Sequence, residues 1–182
     1  MTERRTFLST LLGGAALAAL GPSPLPAEGG LDKAPSDVAL LNIALELEHT
    51  AIFAYGLAGG SGLLSKGVLG VGALFKGSHE RHRDTLTTVV KGLGGFPVSA
   101  KPTYDFSAFE LKTEPDVLRL ALFLEMKAAH TYQKALARFR RKALLDAAGS
   151  ILGDEASHAA ILRSALGKAP VAFYRQLGEG LD

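Results

Sequence analysis

The sequence predicts an all-α fold, a bundle of four helices with one long crossover between the second helix and the third. From Ser36 onward the apolar residues recur at spacings of three and four, and no stretch alternates as a half-buried β-strand does. The first and last predicted connections are short, so each joins antiparallel neighbours, whereas the middle connection is about 20 residues long. This pattern favours a bundle with one crossover over a simple up-and-down bundle.

Residues 1–30 are predicted to be an export signal peptide, and residues 31–182 the folded domain. The pair Arg4-Arg5 is followed by an apolar run that ends near Leu20 and then by Gly, Pro and Ala residues, a pattern that resembles a twin-arginine signal. The apolar run is shorter than the roughly 20 residues of a spanning helix. A general secretory signal and an uncleaved anchor are the alternatives. We expect a periplasmic or otherwise extracytoplasmic protein that is not held in the membrane after cleavage.

The first helix is predicted from Ser36, which has the side chain of an N-cap residue, to the glycines at 59 and 60. The second helix is predicted over about Leu63 to Leu93. Three glycines in its first half each lower helix propensity by about 1 kcal/mol relative to alanine. We therefore expect that half to fray or to begin late.

The crossover opens with two glycines at residues 94–95 and ends at residues 113–116, whose sequence TEPD is a strong helix start. The third helix is predicted to extend from there to about Arg138. After a short basic turn, the fourth is predicted from about Lys142 to Leu166, before a glycine and a proline that end it.

The first and third predicted helices repeat each other. The stretch LELEHTAIFAYGLA aligns without gaps with LFLEMKAAHTYQKA. The alignment pairs Glu48 with Glu125 and Tyr55 with Tyr132. Both carboxylates lie on apolar helical stripes, so both should face the core.

The second and fourth helices repeat each other in the same way. The stretch GSHERHRDTL aligns with GDEASHAAIL, which pairs His82 with His158 and His79 with Glu155. Residues three apart lie on one helix face, so His79 with His82, and Glu155 with His158, can each bind a common ion.

These side chains are a candidate metal site. Carboxylates in a dry interior repel one another, and each loses several kcal/mol of hydration, unless they are protonated or neutralised. A divalent metal removes both penalties, and a metal-free buried polar network is the alternative. The candidate ligands are Glu48, His79, His82, Glu125, Glu155 and His158.

The composition limits the functions that this domain can have. Of the 182 residues, 47% are hydrophobic and 21% are charged, and the formal net charge is +2, as expected for one soluble domain that does not bind nucleic acid. The chain contains no cysteine, which excludes disulfides, thiolate nucleophiles and sulfur ligands. A metal site must therefore use nitrogen and oxygen donors.

The first and fourth predicted helices contain DVALLNIALELEH and ILGDEASHAAILRSAL, which resemble the ferritin-like proteins of the desiccation-related group. The resemblance covers about Ser36 to Leu166. The chain also resembles the wider class of di-iron carboxylate bundles, whose helices supply ligands in the order Glu, Glu-x-x-His, Glu, Glu-x-x-His. The resemblance implies a ferritin-like four-helix bundle with two iron or manganese ions, or else zinc, held by Glu48, His79, His82, Glu125, Glu155 and His158.

One residue departs from the family pattern. His79 stands where the family has Glu, so the set contains three carboxylates and three imidazoles. Glu80 lies about 100° around the helix and cannot replace His79 without local distortion. Ferric ions prefer oxygen donors, whereas imidazole also suits zinc, copper and ferrous iron. The departure therefore makes a single-metal or zinc site more credible.

Two functions follow from the resemblance. In the first, an iron or manganese pair activates dioxygen or removes peroxide, as in an oxidoreductase of oxidative stress, and Tyr55 and Tyr132 tune the pair. In the second, the protein is a non-catalytic structural or stress-protection bundle with a structural metal or a metal-free polar core. The expected partners are metal ions with dioxygen or peroxide, and a homodimer is left open. His49, His130 and Glu46 lie off the ligand stripes and are left out of the site.

Overall fold

The computed structural model describes residues 35–170, and these residues form four helices and no strand. The helices are α1 (Asp37–Gly60), α2 (Lys66–Gly92), α3 (Glu114–Leu136) and α4 (Ala143–Ala165). The predicted all-α class is therefore confirmed. The predicted signal at residues 1–30 lies outside the described residues, and the boundary between signal and domain stays a prediction.

The helix starts follow the predicted capping residues. The Ser36 side chain accepts a hydrogen bond from the backbone N–H of Ala39 at 3.2 Å. At α3, Thr113 and Asp116 form a reciprocal capping box in which each side chain accepts from the other's backbone N–H. These caps satisfy backbone donors that the first turn of a helix leaves unpaired.

The first half of α2 differs from the prediction in part. The helix begins at Lys66, three residues later than predicted, and then continues through its glycines to Gly92. A side chain at Gly72 would lie 3.8 Å from the Tyr55 ring, so this part of α2 packs closely on α1. Tertiary packing of this kind stabilises a helix beyond its intrinsic propensity.

The direction of each helix follows from contacts that cross the bundle. Tyr55, late in α1, reaches Glu125 in the middle of α3, whereas Tyr132, late in α3, reaches Glu48 in the middle of α1. These two helices are therefore antiparallel. The short connection 61–65 makes α2 antiparallel to α1 as well, so α2 and α3 run in the same direction. The crossover at 93–113 has to span the length of the bundle to join them.

The crossover is fixed to α1 at its start. The Asn42 side chain donates to the carbonyl of Phe96 at 3.0 Å and accepts from the N–H of Val98 at 2.9 Å. A Cβ atom at Gly95 would lie 2.6 Å from a methyl group of Val38, so only glycine permits this close approach.

Among the described residues the core has two larger apolar clusters with a polar layer between them, and a smaller third cluster of Ala54, Leu120 and Leu124 under the crossover. One cluster contains Leu41, Ala44, Leu45, Leu86, Val89, Val90, Tyr132, Leu144, Ala148 and Ile151. The other contains Ala51, Tyr55, Phe75, Leu118, Leu122, Met126, Ala159 and Leu162. By length and composition α1 could cross a membrane, with a mean hydropathy of 1.3, but in this fold α2 and α3 pack against it. The polar layer contains the candidate ligands.

Candidate metal centre

The fold brings all six predicted ligand residues together in the middle of the bundle. One comes from α1, two from α2, one from α3 and two from α4, and none is more than 7% exposed. They are Glu48, His79, His82, Glu125, Glu155 and His158. Their burial agrees with the predicted core-facing stripes, and their role as metal ligands stays a prediction.

The six residues form two overlapping groups that could each hold an ion. In each group the ligand atoms lie within 4.8 Å of one another. The first group is Glu48, His79, His82 and Glu155, and the second is His79, Glu125, Glu155 and His158. His79 and Glu155 belong to both groups, so these two lie between a pair of half-sites.

His79 faces both half-sites with its two ring nitrogens. Its Nδ1 atom lies 2.8 Å from Glu48 Oε2, and its Nε2 atom lies 3.2 Å from Glu125 Oε1. The neighbouring Glu80 points outward, where its carboxylate lies 2.5 Å from the ammonium of Lys76 and is 40% exposed. The inward residue of α2 is therefore the imidazole that departs from the family pattern.

Glu155 and His82 carry polar atoms that are buried without a hydrogen bond. Among residues 35–170, no hydrogen-bond partner is found for either carboxyl oxygen of Glu155 or for the Nδ1 atom of His82. His82 Nδ1 lies 3.0 Å from Glu155 Oε1. A buried polar atom without a partner costs about 1–3 kcal/mol. An ion that accepted lone pairs from these atoms would remove that cost, so the donor set fits a divalent cation.

The cluster can also balance its charge through protons. Although burial opposes ionisation, contacts with His79 and His82 lower the pKa of Glu48 to about 2. The Glu125 pKa is likewise lowered, against the effect of burial, by contacts with Glu155, His158 and His79. Burial and the neighbouring Glu125 raise the pKa of Glu155. Without a metal, Glu155 is therefore the carboxyl that holds a proton.

The two histidines of α2 supply the positive charge. Although burial opposes the imidazolium, hydrogen bonds with Glu125 and Glu48 raise the pKa of His79 to about 10. Contacts with Asp154, Glu155 and Glu48 overcome burial in the same way and raise the pKa of His82 to about 11. Two imidazolium groups then face two carboxylates, so the metal-free centre has no net charge from these four groups.

Two tyrosines hold the outer carboxylates. The hydroxyl of Tyr55 donates to Glu125 Oε1, and the hydroxyl of Tyr132 donates to Glu48 Oε1 at 2.6 Å. Burial and the adjacent carboxylate raise both tyrosine pKa values, so both remain hydrogen-bond donors. Each tyrosine therefore orients the carboxylate that belongs to the other half of the repeat.

Two residues beside the cluster were missed by the sequence analysis. Asp154 Oδ2 lies 3.3 Å from the outer nitrogen of His82, and the ring of Phe75 stacks on His158 with centroids 4.0 Å apart. The second ring N–H of a ligating histidine commonly donates a hydrogen bond to a carboxylate. Asp154, next to Glu155 in sequence, could have been found by asking which group pairs with that nitrogen. Stacking by Phe75 has no comparable sequence signal.

The residues left out of the predicted site lie away from the cluster. His49 contacts the carbonyl of Val98, 3.2 Å from its Nε2 atom. Glu46 lies 2.5 Å from the ammonium of the exposed Lys101. His130 is half-buried on α3. None of the three belongs to either group of candidate ligands.

Comparison with known proteins agrees with this fold. The family model described as ferritin-like domain matches residues 36–168. The crystal structure of a conserved hypothetical protein from Mycobacterium tuberculosis is similar, with a TM-score of 0.67 and 25% sequence identity. That alignment covers 74% of this chain and 93% of the mycobacterial one. No curated protein is similar enough to count as a match.

Proposed function

Because the chain belongs to the ferritin-like domain family, we propose that it is an exported metalloprotein that holds two iron or manganese ions and performs redox chemistry on dioxygen or peroxide. The observation that carries the proposal is the pair of half-sites that share Glu155. Both oxygens of Glu155 are buried without a hydrogen bond, so one carboxylate can serve two ions.

The chain's own residues divide between binding and orientation. Glu48 and His82 would hold one ion, and Glu125 and His158 the other. Tyr132 and Tyr55 keep the two outer carboxylates in place, as partners of metal ligands commonly do. When bound, iron or manganese supplies the electron transfer to dioxygen or peroxide that these side chains lack. The apolar clusters on either side of the layer exclude bulk water from it.

His79 bears on which metals the centre accepts. A neutral imidazole has one free lone pair and serves one ion, whereas the carboxylate of the family pattern serves two. With three imidazoles and three carboxylates, the donor set also suits zinc. Iron or manganese follows from the family pattern, and zinc from this one replacement.

A second function is favoured by the charge balance of the metal-free centre. His79 contacts Glu48 and Glu125 at once, so a protonated ring pairs two buried carboxylates without an ion. A bundle of this kind needs no metal to fold. It would act as a non-catalytic structural or stress-protection protein, as the resemblance to the desiccation-related group suggests.

Export is supported by the sequence alone. The arginine pair at residues 4–5 and the apolar run that follows are typical of a twin-arginine signal. Mass spectrometry of the protein from an extracytoplasmic fraction should find that cleavage falls between residues 21 and 30. A cytoplasmic protein that keeps residues 1–30 would contradict the proposal.

Metal analysis separates the two functions. Protein purified without chelators should carry one to two ions per chain, and added ferrous iron should be turned over with dioxygen or peroxide. A metal at 100 times its Kd should also stabilise the fold by about 2.7 kcal/mol. Metal-free protein whose melting temperature does not change with iron, manganese or zinc would establish the structural function. Bound metal without turnover would establish a structural metal site.

A further inference from the structure

A cavity of about 300 Å³, partly open to solvent, lies beside the candidate metal centre, toward the end of the bundle where α1 and α4 finish. Tyr55 and Phe75 line this cavity and also contact the centre, through Glu125 and His158 respectively. The cavity is therefore separated from the candidate ligands by two aromatic rings. Its volume is within the range of small-molecule sites.

The cavity wall offers almost nothing for a polar ligand to bind. The hydroxyl of Tyr55 is engaged by Glu125, and Lys76 is the one charged side chain among the described residues that line the wall. The ammonium of Lys76 is already paired with Glu80 at 2.5 Å. The remaining lining is aliphatic, aromatic or glycine, so the ligand must be apolar over most of its surface.

The length of the cavity along the bundle axis fits an extended aliphatic chain. At about 30 Å³ of molecular volume for each carbon group, the space is large enough for a chain of about ten carbon atoms. On α3 the lining extends from Val117 to Leu124, which at 1.5 Å per residue is about 10 Å along the bundle axis. We propose that the cavity binds one free medium-chain aliphatic molecule of about ten carbons, with its end against Tyr55 and Phe75.

Missing side chains on α2 create part of this space. Gly72 lines the cavity, and a Cβ atom there would lie 3.8 Å from the Tyr55 ring. Gly70, on the same helix, is exposed, does not line the cavity and has no atom near its Cβ position. A larger residue at 72 should therefore fill the cavity, whereas the same residue at 70 should not.

The ligand needs no ion in the centre, so the inference stands apart from the metal proposal. Calorimetric titration of the full chain with 1-decanol should show saturable binding to one site. Gly72→Leu removes the space for several carbons and should weaken binding at least about tenfold. Gly70→Leu should leave the affinity within about twofold, since its side chain lies outside the wall.

A second variant guards against a folding defect in the first. Ala121→Phe fills the same cavity from α3 and should weaken decanol binding to a similar extent. Helix content and metal content, measured on every variant, should match the parent, which places the loss in the cavity and not in the centre. The inference is overturned if the parent shows no saturable binding of decanol, or if the filled variants bind decanol as tightly as the parent. It is also overturned if the parent binds phosphatidylcholine vesicles but not decanol.

Discussion

The α1–α2 half and the α3–α4 half of the bundle are built on one pattern, and among the six candidate ligands they differ at a single position. Glu48 corresponds to Glu125, and each accepts a hydrogen bond from the tyrosine of the opposite half. At the remaining position α2 carries His79 and α4 carries Glu155. The raised pKa of His79 favours the charged imidazolium, whereas the raised pKa of Glu155 favours the neutral carboxylic acid. One replacement within the repeat therefore decides how the centre balances its charge.

The halves also differ in how they orient their equivalent histidines. His82 is held by the half-exposed carboxylate of Asp154, whereas His158 is held by the ring of Phe75. One imidazole therefore faces a polar contact near solvent, and the other faces the apolar cavity. Each orienting residue comes from the opposite half, so neither half of the centre is complete without the other.

Removing a carboxylate of the centre should have the largest effect. Glu125→Ala leaves Tyr55 and His158 without their acceptor and His79 without one of its two, and breaking a buried pair in this way costs about 3–5 kcal/mol. Urea unfolding of chelator-treated protein measures the loss. Bound metal should also fall to a small fraction of the parent value, for Glu155→Ala as for Glu125→Ala.

The matched control for this prediction is Glu46→Ala. Among residues 35–170 the ion-pair partner of Glu46 is the exposed Lys101, and a surface pair contributes about 0–1 kcal/mol. This variant and His49→Ala should keep their metal. If all four variants lost the same amount of metal, the assignment of helix faces would be wrong.

Making the two halves alike should have the next largest effect. His79→Glu removes the positive charge between Glu48 and Glu125 and adds a buried carboxylate, so the metal-free protein should lose about 3 kcal/mol of stability. The same change adds a hard oxygen donor and should shift preference from zinc toward ferric iron. Titration of parent and variant with both metals, followed by thermal unfolding, measures both effects.

Glu80→Gln is the control for the α2 position. Glu80 lies outside the centre in an ion pair with Lys76, so this substitution should change neither metal preference nor metal-dependent stability. If Glu80→Gln altered metal binding and His79→Glu did not, Glu80 would be the ligand.

The reciprocal tyrosines should contribute equally. Tyr55→Phe and Tyr132→Phe each remove one hydrogen bond to a buried carboxylate, which is worth about 1.5–3 kcal/mol. Tyr104→Phe removes a bond to an exposed backbone N–H and should cost less than about 1 kcal/mol. Chemical denaturation of the three variants compares them. A large difference between the losses of stability in Tyr55→Phe and Tyr132→Phe would show that the two halves do not contribute equally to the stability of the centre.

The sequence predicted the fold and the clustering of the six side chains because both depend on helical spacing. Residues three apart share a helix face, so spacing alone was enough to place the pairs on α2 and α4 inward. Spacing says nothing about contacts between helices. It could not show that the tyrosines cross over between halves, that Phe75 stacks on His158, or that the glycines of α2 line a cavity.

The smallest predicted effect concerns the second difference between the halves. Ser78 occupies the position on α2 that Asp154 occupies on α4, so Asp154→Ser makes the halves alike there and removes the partner of His82. Loss of such a partner commonly lowers metal affinity about 10- to 100-fold, and a half-exposed carboxylate favours the low end. The affinity for the ion held by Glu48 and His82 should fall, while the affinity for the ion held by Glu125 and His158 should not change. Stepwise metal titration resolves the two, with Asp84→Ser as a control at an exposed aspartate of α2. An equal loss of affinity for both ions would mean that Asp154 acts on the whole centre and not through His82.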